Sequence, residues 1–273
     1  MNVILGIDVG GSTTKIVGFE GKELIGVLQV QALDQVTSMF GAIGSFLMKN
    51  RVSLDQISSI VLTGVGATFF DENIYGVDTF KVDEFRAMGF GGLYLAGIPE
   101  AFVVSLGTGT AFVRAAGGEI VHIGGSGVGG GTLAGLASKI LNKNDIEALI
   151  SLADSGRLEN VDLSVRDIIN HDIPSLPPNL TASNFGKIES SAADADFALG
   201  IINMVLQTVG MLAVFAARND RIKDVVLTGN LTTLPQAGGM FAAITERFSL
   251  NFIIPPNAVF ATAIGAAITH IQS

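Results

Sequence analysis

The segment SLGTGTAFVRAAGGEIV at 105–121 repeats the layout of DVGGSTTKIVGFEGKEL at 8–24 at a constant offset: Gly10 falls on Gly107, Thr13 on Thr110 and Gly21 on Gly118. Each copy reads as an apolar strand, a turn rich in glycine and threonine, a second strand, and a glycine-containing hairpin into a third. Helical stretches follow both copies. A repeated β-hairpin unit with helices after it predicts a duplicated α/β architecture with a nucleotide cleft between the halves.

The rest of the chain fits alternating strands and helices. A helix is expected over about 32–49, and ISSIVLTG at 57–64 ends in glycine as a buried strand does before a functional loop. GGSGVGGGTLAGLASKIL at 124–141 reads as a glycine loop opening a helix, and the polar, proline-containing stretch at 154–187 reads as an excursion. Helix (197–217), strand (225–229), helix (235–247) and helix (260–271) complete the pattern. The expected halves are 1–123 and 124–273, the second carrying an insertion at about 142–196.

Composition narrows the function. The chain has no cysteine, which excludes disulfides, iron–sulfur ligation and thiol nucleophiles. A net charge of −9 with 16 Lys and Arg argues against nucleic-acid partners, which require clustered basic groups. Phe197–Ala217 is apolar but interrupted by Asn203, Gln207 and two glycines, and reads as a buried helix rather than a span. The opening MNVILGIDVGG does not have the shape of a signal peptide, so a cytoplasmic protein without a membrane partner is expected. The 34 glycines cluster in a few turns instead of forming a linker.

Those turns carry the candidate chemistry. Asp8 ends a strand and is followed by Gly10, Gly11, Ser12 and Thr13, whose backbone N–H groups and hydroxyls can face phosphate oxygens. Asp8 could hold Mg2+ and Lys15 could neutralise phosphate charge. An isolated DxGG is otherwise a hairpin with an Asx-type turn. Ser105 to Thr110 is a second donor-rich turn without a carboxylate, and Gly124–Gly131 can seat an anion at a helix N-terminus. No GxxxxGK[ST] occurs, and GSGVGG at 125–130 follows a hairpin repeat rather than opening a first βαβ unit. Glu84 stands before an expected helix, where a carboxylate either accepts a proton from an attacking hydroxyl or complements the helix dipole. The three histidines, His122, His171 and His270, are too scattered for a metal site.

Taken together, GIDVGGSTTK, VSLGTGT, GGSGVGGGT, TASNFG at 181–186 and the terminal AIGAA resemble type II pantothenate kinases, nearly over the full length. GIDVGGSTTK and the terminal segment are common to the wider actin/Hsp70/sugar-kinase superfamily; RLENVDLSVRDII at 157–169 and TASNFG are more specific. The resemblance implies two RNase H-like halves with ATP and Mg2+ in the cleft, and phosphorylation of pantothenate's primary hydroxyl as the first step of coenzyme A synthesis. It implies Glu84, in DEFRA, as the catalytic glutamate, Asp8 as the metal residue, and phosphate contacts at Gly107, Thr108, Gly109, Thr110, Gly129, Gly130, Gly131, Thr132 and Gly229. Glu84, Ser105 and His122 would meet the substrate, a homodimer is typical, and coenzyme A or acyl-CoA is a candidate feedback ligand. Two departures stand out: His122 replaces an arginine that usually faces substrate, and Ile253-Ile254 replace tyrosines that some bacterial members carry near the pantothenate pocket.

Activators of 2-hydroxyacyl-CoA dehydratases begin with a similar turn but hold an iron–sulfur cluster through cysteines that this chain lacks, and ROK-type sugar kinases or repressors would show a cysteine-rich zinc motif. Two alternatives stay open: a kinase for a related hydroxylated acid, and a non-catalytic ATP-binding regulatory module.

Overall fold

The computed structural model describes residues 2–32, 34–171, 173–174 and 176–272. The first apolar run forms β1 (Val3–Val9), joined by tight turns to the antiparallel strands β2 (Thr13–Glu20) and β3 (Glu23–Gln31). Helix α1 (Gln35–Asn50) starts where the Asp34 carboxylate accepts the Thr37 N–H at 2.7 Å. Strand β4 (Ile57–Thr63) returns parallel to β1, and β5 (Thr79–Lys81) runs parallel to β4.

Helix α2 (Glu84–Ala96) leads into β6 (Glu100–Leu106), β7 (Thr110–Ala116) and β8 (Glu119–Ser126), which repeat the antiparallel hairpins. Then follow α3 (Gly130–Leu141), α4 (Ile146–Ala153), the short pair β9 (Leu163–Ser164) and β10 (Thr181–Ser183), and α5 (Asp194–Ala217). Strand β11 (Asp224–Thr228), α6 (Pro235–Phe248), β12 (Asn251–Ile253) and α7 (Ala261–Ile271) complete the chain.

The two large sheets have the same plan. One runs β3-β2-β1-β4-β5 and the other β8-β7-β6-β11-β12, each with two antiparallel hairpins on one side and two parallel strands on the other. The division expected at 123/124 falls inside β8. Strand β8 is bonded along its length to β7, so a cut there would split one ladder. The second sheet begins instead at β6, and α7 packs on β1, β2 and β4 of the first sheet. The region between α3 and α5, with α4 and the β9–β10 pair, has no counterpart in the first half.

Both sheets are covered on both faces, which is why their central strands are apolar throughout. In the first half Leu5, Ile7 and Leu62 pack against Met39, Ile43 and Phe46 of α1, while Val17 and Phe19 meet Ala263, Ile264 and Ala267 of α7. In the second, Val104 and Leu106 pack against Ile201, Val205 and Val209 of α5, and Val103 and Val113 against Met88 of α2. Among the described residues α5 is the one helix long and apolar enough to cross a membrane, and it is a core helix here. Helices α2 and α7 pack between the sheets and touch each other. At their crossing, a Cβ on Gly91 would strike the Ala261 carbonyl and one on Gly265 the Ala87 carbonyl, so only glycine allows the approach.

Candidate functional site

In a strand pair, residues in register point to the same face. Asp8 pairs with Lys15 on β2 and with Thr63 on β4, so these three side chains form a row across the sheet on the face covered by α2 and α7. Asp8 and Lys15 are each 8% exposed, and Lys15 Nζ stands 3.8 Å from Asp8 Oδ2. Burial pushes the Asp8 carboxyl above its ordinary value, against the opposing pull of Lys15.

Glu84 reaches this row because the Val82 N–H bonds to the Leu62 carbonyl at 2.9 Å, setting the start of α2 beside the end of β4. Asp83 caps the helix, accepting the Arg86 N–H at 2.9 Å, which makes Glu84 the first helical residue. The Glu84 side chain keeps solvent contact, yet the surrounding protein displaces enough water to raise its pKa, and repulsion from Asp8 and Asp83 raises it further. Lys15 acts in the opposite sense. Two neighbouring carboxylates of raised pKa, one of them paired with a lysine, can hold a proton acceptor and an anion side by side.

Next to this row is a cleft of about 530 Å³, lined on one side by Gly11, Ser12 and Thr13 and on the other by Gly107, Thr108, Gly130 and Gly131. The two turns touch across it through Ser12 Oγ and Thr108 Oγ1, 3.1 Å apart. Lys143, Asn144, Asp145, Ile146 and Leu149 also line it, with Asn230 and Leu231. The cleft therefore combines hydroxyls and backbone from the turns with a mixed apolar lining from the 143–149 segment.

Several expected phosphate contacts are already engaged in building these turns. The Gly130 N–H donates to the Gly107 carbonyl and the Gly131 N–H to the Thr108 carbonyl, both at 2.8 Å. The Gly129 N–H donates to Thr132 Oγ1, whose hydroxyl donates in turn to the Gly127 carbonyl. Thr110 is buried and donates to the Val128 carbonyl, the Gly10 N–H donates to Thr13 O, and the Gly107 N–H to Gly109 O. Gly229 has φ +89°, its N–H donates to Ala258 O, and a Cβ there would strike Leu106. These residues brace the loops, leaving Gly11, Ser12, Thr13 and Thr108 as the groups of those turns that line the cleft with bonding capacity to spare.

His122 lies on the edge strand β8, with its ring stacked on Phe85 at 3.8 Å between centroids and 11° between planes. It therefore stands beside the residue that follows Glu84. Ser105 takes the place on β6 that Asp8 takes on β1, again on the face toward α2, in register with Thr228. Ile253 and Ile254 lie at β12, the opposite edge of the second sheet from His122, and are not brought to this cluster. Sequence reasoning missed Phe85, Thr63, Asn230 and the wall at Lys143–Leu149. The recurrence of LTG at 62–64 and 227–229 was the one signal that could have pointed to Thr63 and Asn230.

Among the described residues no group of three metal-ligating side chains occurs, so the site does not fit a protein-held metal cage. The donor set fits a hard cation that arrives with phosphate oxygens and water and needs one buried carboxylate, which Asp8 supplies.

Known proteins resemble this chain over most of its length. The Fumble family model matches residues 98–240. A type II pantothenate kinase of Bacillus cereus (strain G9842) is 28% identical over 276 residues, covering 97% of this chain and 98% of the relative. One from Staphylococcus haemolyticus (strain JCSC1435) is 31% identical over 238 residues, covering 83% and 84%. Among solved structures, the activator of 2-hydroxyisocaproyl-CoA dehydratase from Clostridium difficile with bound ADPNP superposes with a TM-score of 0.70 at 17% identity, over 99% of this chain and 94% of that one. At that identity the likeness concerns the actin-like ATPase fold alone.

Proposed function

The chain belongs to the type II pantothenate kinase family, and from that premise we propose that it transfers the γ-phosphoryl group of ATP to the primary hydroxyl of pantothenate, opening coenzyme A synthesis. The observation that carries the reading is the buried Asp8–Lys15 pair, with Glu84 set beside the end of β4, next to a cleft whose donor-rich turns come from both halves.

In this reading ATP lies in the cleft with its phosphates toward Gly11, Ser12, Thr13 and Thr108 and its base toward the Lys143–Leu149 wall. Glu84 accepts the proton of the substrate hydroxyl as its oxygen attacks the γ-phosphorus, and ADP leaves with the bridging oxygen. Lys15 offsets negative charge on the phosphates. Asp8 would hold a Mg2+ carried by the nucleotide, which would supply charge neutralisation at the β- and γ-oxygens. His122, whose ring stacks on Phe85 beside Glu84, and Ser105, on the sheet face toward α2, would contact pantothenate. A cytoplasmic homodimer regulated by coenzyme A or acyl-CoA belongs to the same reading.

The test is ADP production by purified protein with Mg-ATP, with and without pantothenate. Turnover that depends on pantothenate is expected, and Glu84→Gln should lower kcat by roughly 10²–10⁴ while leaving ATP binding in place. ATP binding without pantothenate-dependent turnover would sink the assignment in favour of another hydroxylated acid or a non-catalytic module.

A further inference from the structure

Thr63 carries a hydroxyl that the free protein leaves idle. Its side chain is 0% exposed, and Oγ1 finds no hydrogen-bond partner among the described residues. A hydroxyl withdrawn from water without a partner is destabilising, and a valine would fill the same space without that penalty.

The position of this hydroxyl is specific. Strand β4 runs between β1, which carries Asp8 next to its end, and β5, which leads through Val82 to Glu84. In register with Asp8, Thr63 shares its face and stands between the two carboxylates of the site. Gly64, with φ +87°, turns the chain directly behind it, and a Cβ there would lie 2.6 Å from Asp8 Oδ1. The two carboxylate oxygens thus have different surroundings: Oδ2 faces Lys15 Nζ, and Oδ1 lies against the Thr63–Gly64 turn.

The duplicated half provides an internal comparison. Thr228, followed by Gly229 with φ +89°, ends β11 as Thr63 ends β4, and its Oγ1 donates to the Val104 carbonyl at 3.4 Å. The same strand end beside Ser105, which is not a carboxylate, has its hydroxyl satisfied by backbone. Beside Asp8 the hydroxyl is left available.

We propose that Thr63 is a positioning residue whose hydroxyl donates to Asp8 Oδ1 when a divalent cation and nucleotide load the cleft, fixing the carboxylate so that its other oxygen meets the cation. This rests on the reading that Asp8 serves the cation. Thr14 supplies a matched control. Its hydroxyl is also buried without a partner among the described residues, but it pairs with Val9 and faces α1, on the opposite side of the sheet.

The test compares Thr63→Val, Thr63→Ala, Thr63→Ser, Thr14→Val and Asp8→Asn by two readouts: thermal unfolding of the free proteins, and Mn2+ binding in the presence of ADP followed by the paramagnetic resonance of free Mn2+. Thr63→Val should melt at or above the parent temperature yet bind Mn2+ with ADP about ten- to a hundredfold more weakly, the loss of one hydrogen bond to a charged group. Thr63→Ala should show the same weakening even where its cavity lowers stability, Thr63→Ser should restore binding, and Thr14→Val should leave it unchanged. Parent-like Mn2+ affinity in both Thr63→Val and Thr63→Ala overturns the proposal. If Asp8→Asn alone loses Mn2+, this inference falls while the role of Asp8 stands. If Asp8→Asn also binds normally, both fall.

Discussion

Glu84 illustrates how position sets the chemistry of a residue. As one of 25 acidic residues it has no distinction in the sequence, but as the first residue of α2 it is partly withdrawn from water and faces the charge of Asp8. Both effects oppose ionisation and raise its pKa above the ordinary glutamate value, while Lys15 moderates them. A proton acceptor must be ionised, so activity should fall as pH drops through this raised value, and the acid limb of kcat/KM should lie above that of an ordinary glutamate. Moving Lys15 out of the balance should shift the limb further up: Lys15→Met removes the group that favours the anion. A pH–rate profile whose acid limb sits at or below the ordinary glutamate value would contradict Glu84 as the base. His122 presents the converse case, a residue that the resemblance singled out and whose placement against the Phe85 ring only the structure could reveal.

Among the elements, the α2–α7 pair deserves comparison with an ordinary surface helix. At their crossing the obstacle to a Cβ on Gly265 is the Ala87 carbonyl, backbone that has no rotamer into which to escape. Gly265→Ala should therefore force the helices apart and cost about 3 kcal/mol or more in denaturant unfolding, at the upper end of overpacking penalties. Gly44, in the exposed interior of α1, has nothing within 4 Å of its would-be Cβ. There alanine should stabilise by about 0.5–1 kcal/mol, because the unfolded chain loses freedom and nothing is crowded. Equal effects at the two sites would show that α2 and α7 are not held at the observed distance. This contact also bears on function, since α2 carries Glu84 at one end and α7 packs under β1, which carries Asp8.

At the scale of the molecule, the cleft has walls from both halves, so a nucleotide bound there ties them together. ATP with Mg2+ at a hundred times its Kd should raise stability by about 2.7 kcal/mol and the melting temperature by roughly 5–10 °C. Glu84→Gln should keep that shift, and its absence from the parent protein would remove the nucleotide from the account. What the sequence determined by itself was the repeating part of this design. Strand and helix periods, the glycine-marked turns and the constant offset between 8–24 and 105–121 are local features, and they predict two matched sheets with donor-rich turns facing each other. The expected boundary at 123/124 falls where the β7–β8 ladder continues, a pairing that no local pattern marks. What only the tertiary structure decided were the relations between distant segments. It showed which loop N–H groups are spent on Gly107 and Thr108, that α7 returns to the first sheet, and that Thr63 stands between Asp8 and the segment leading to Glu84. Pairing across strands and packing across helices depend on contacts between residues far apart in the chain, and no local pattern encodes those contacts.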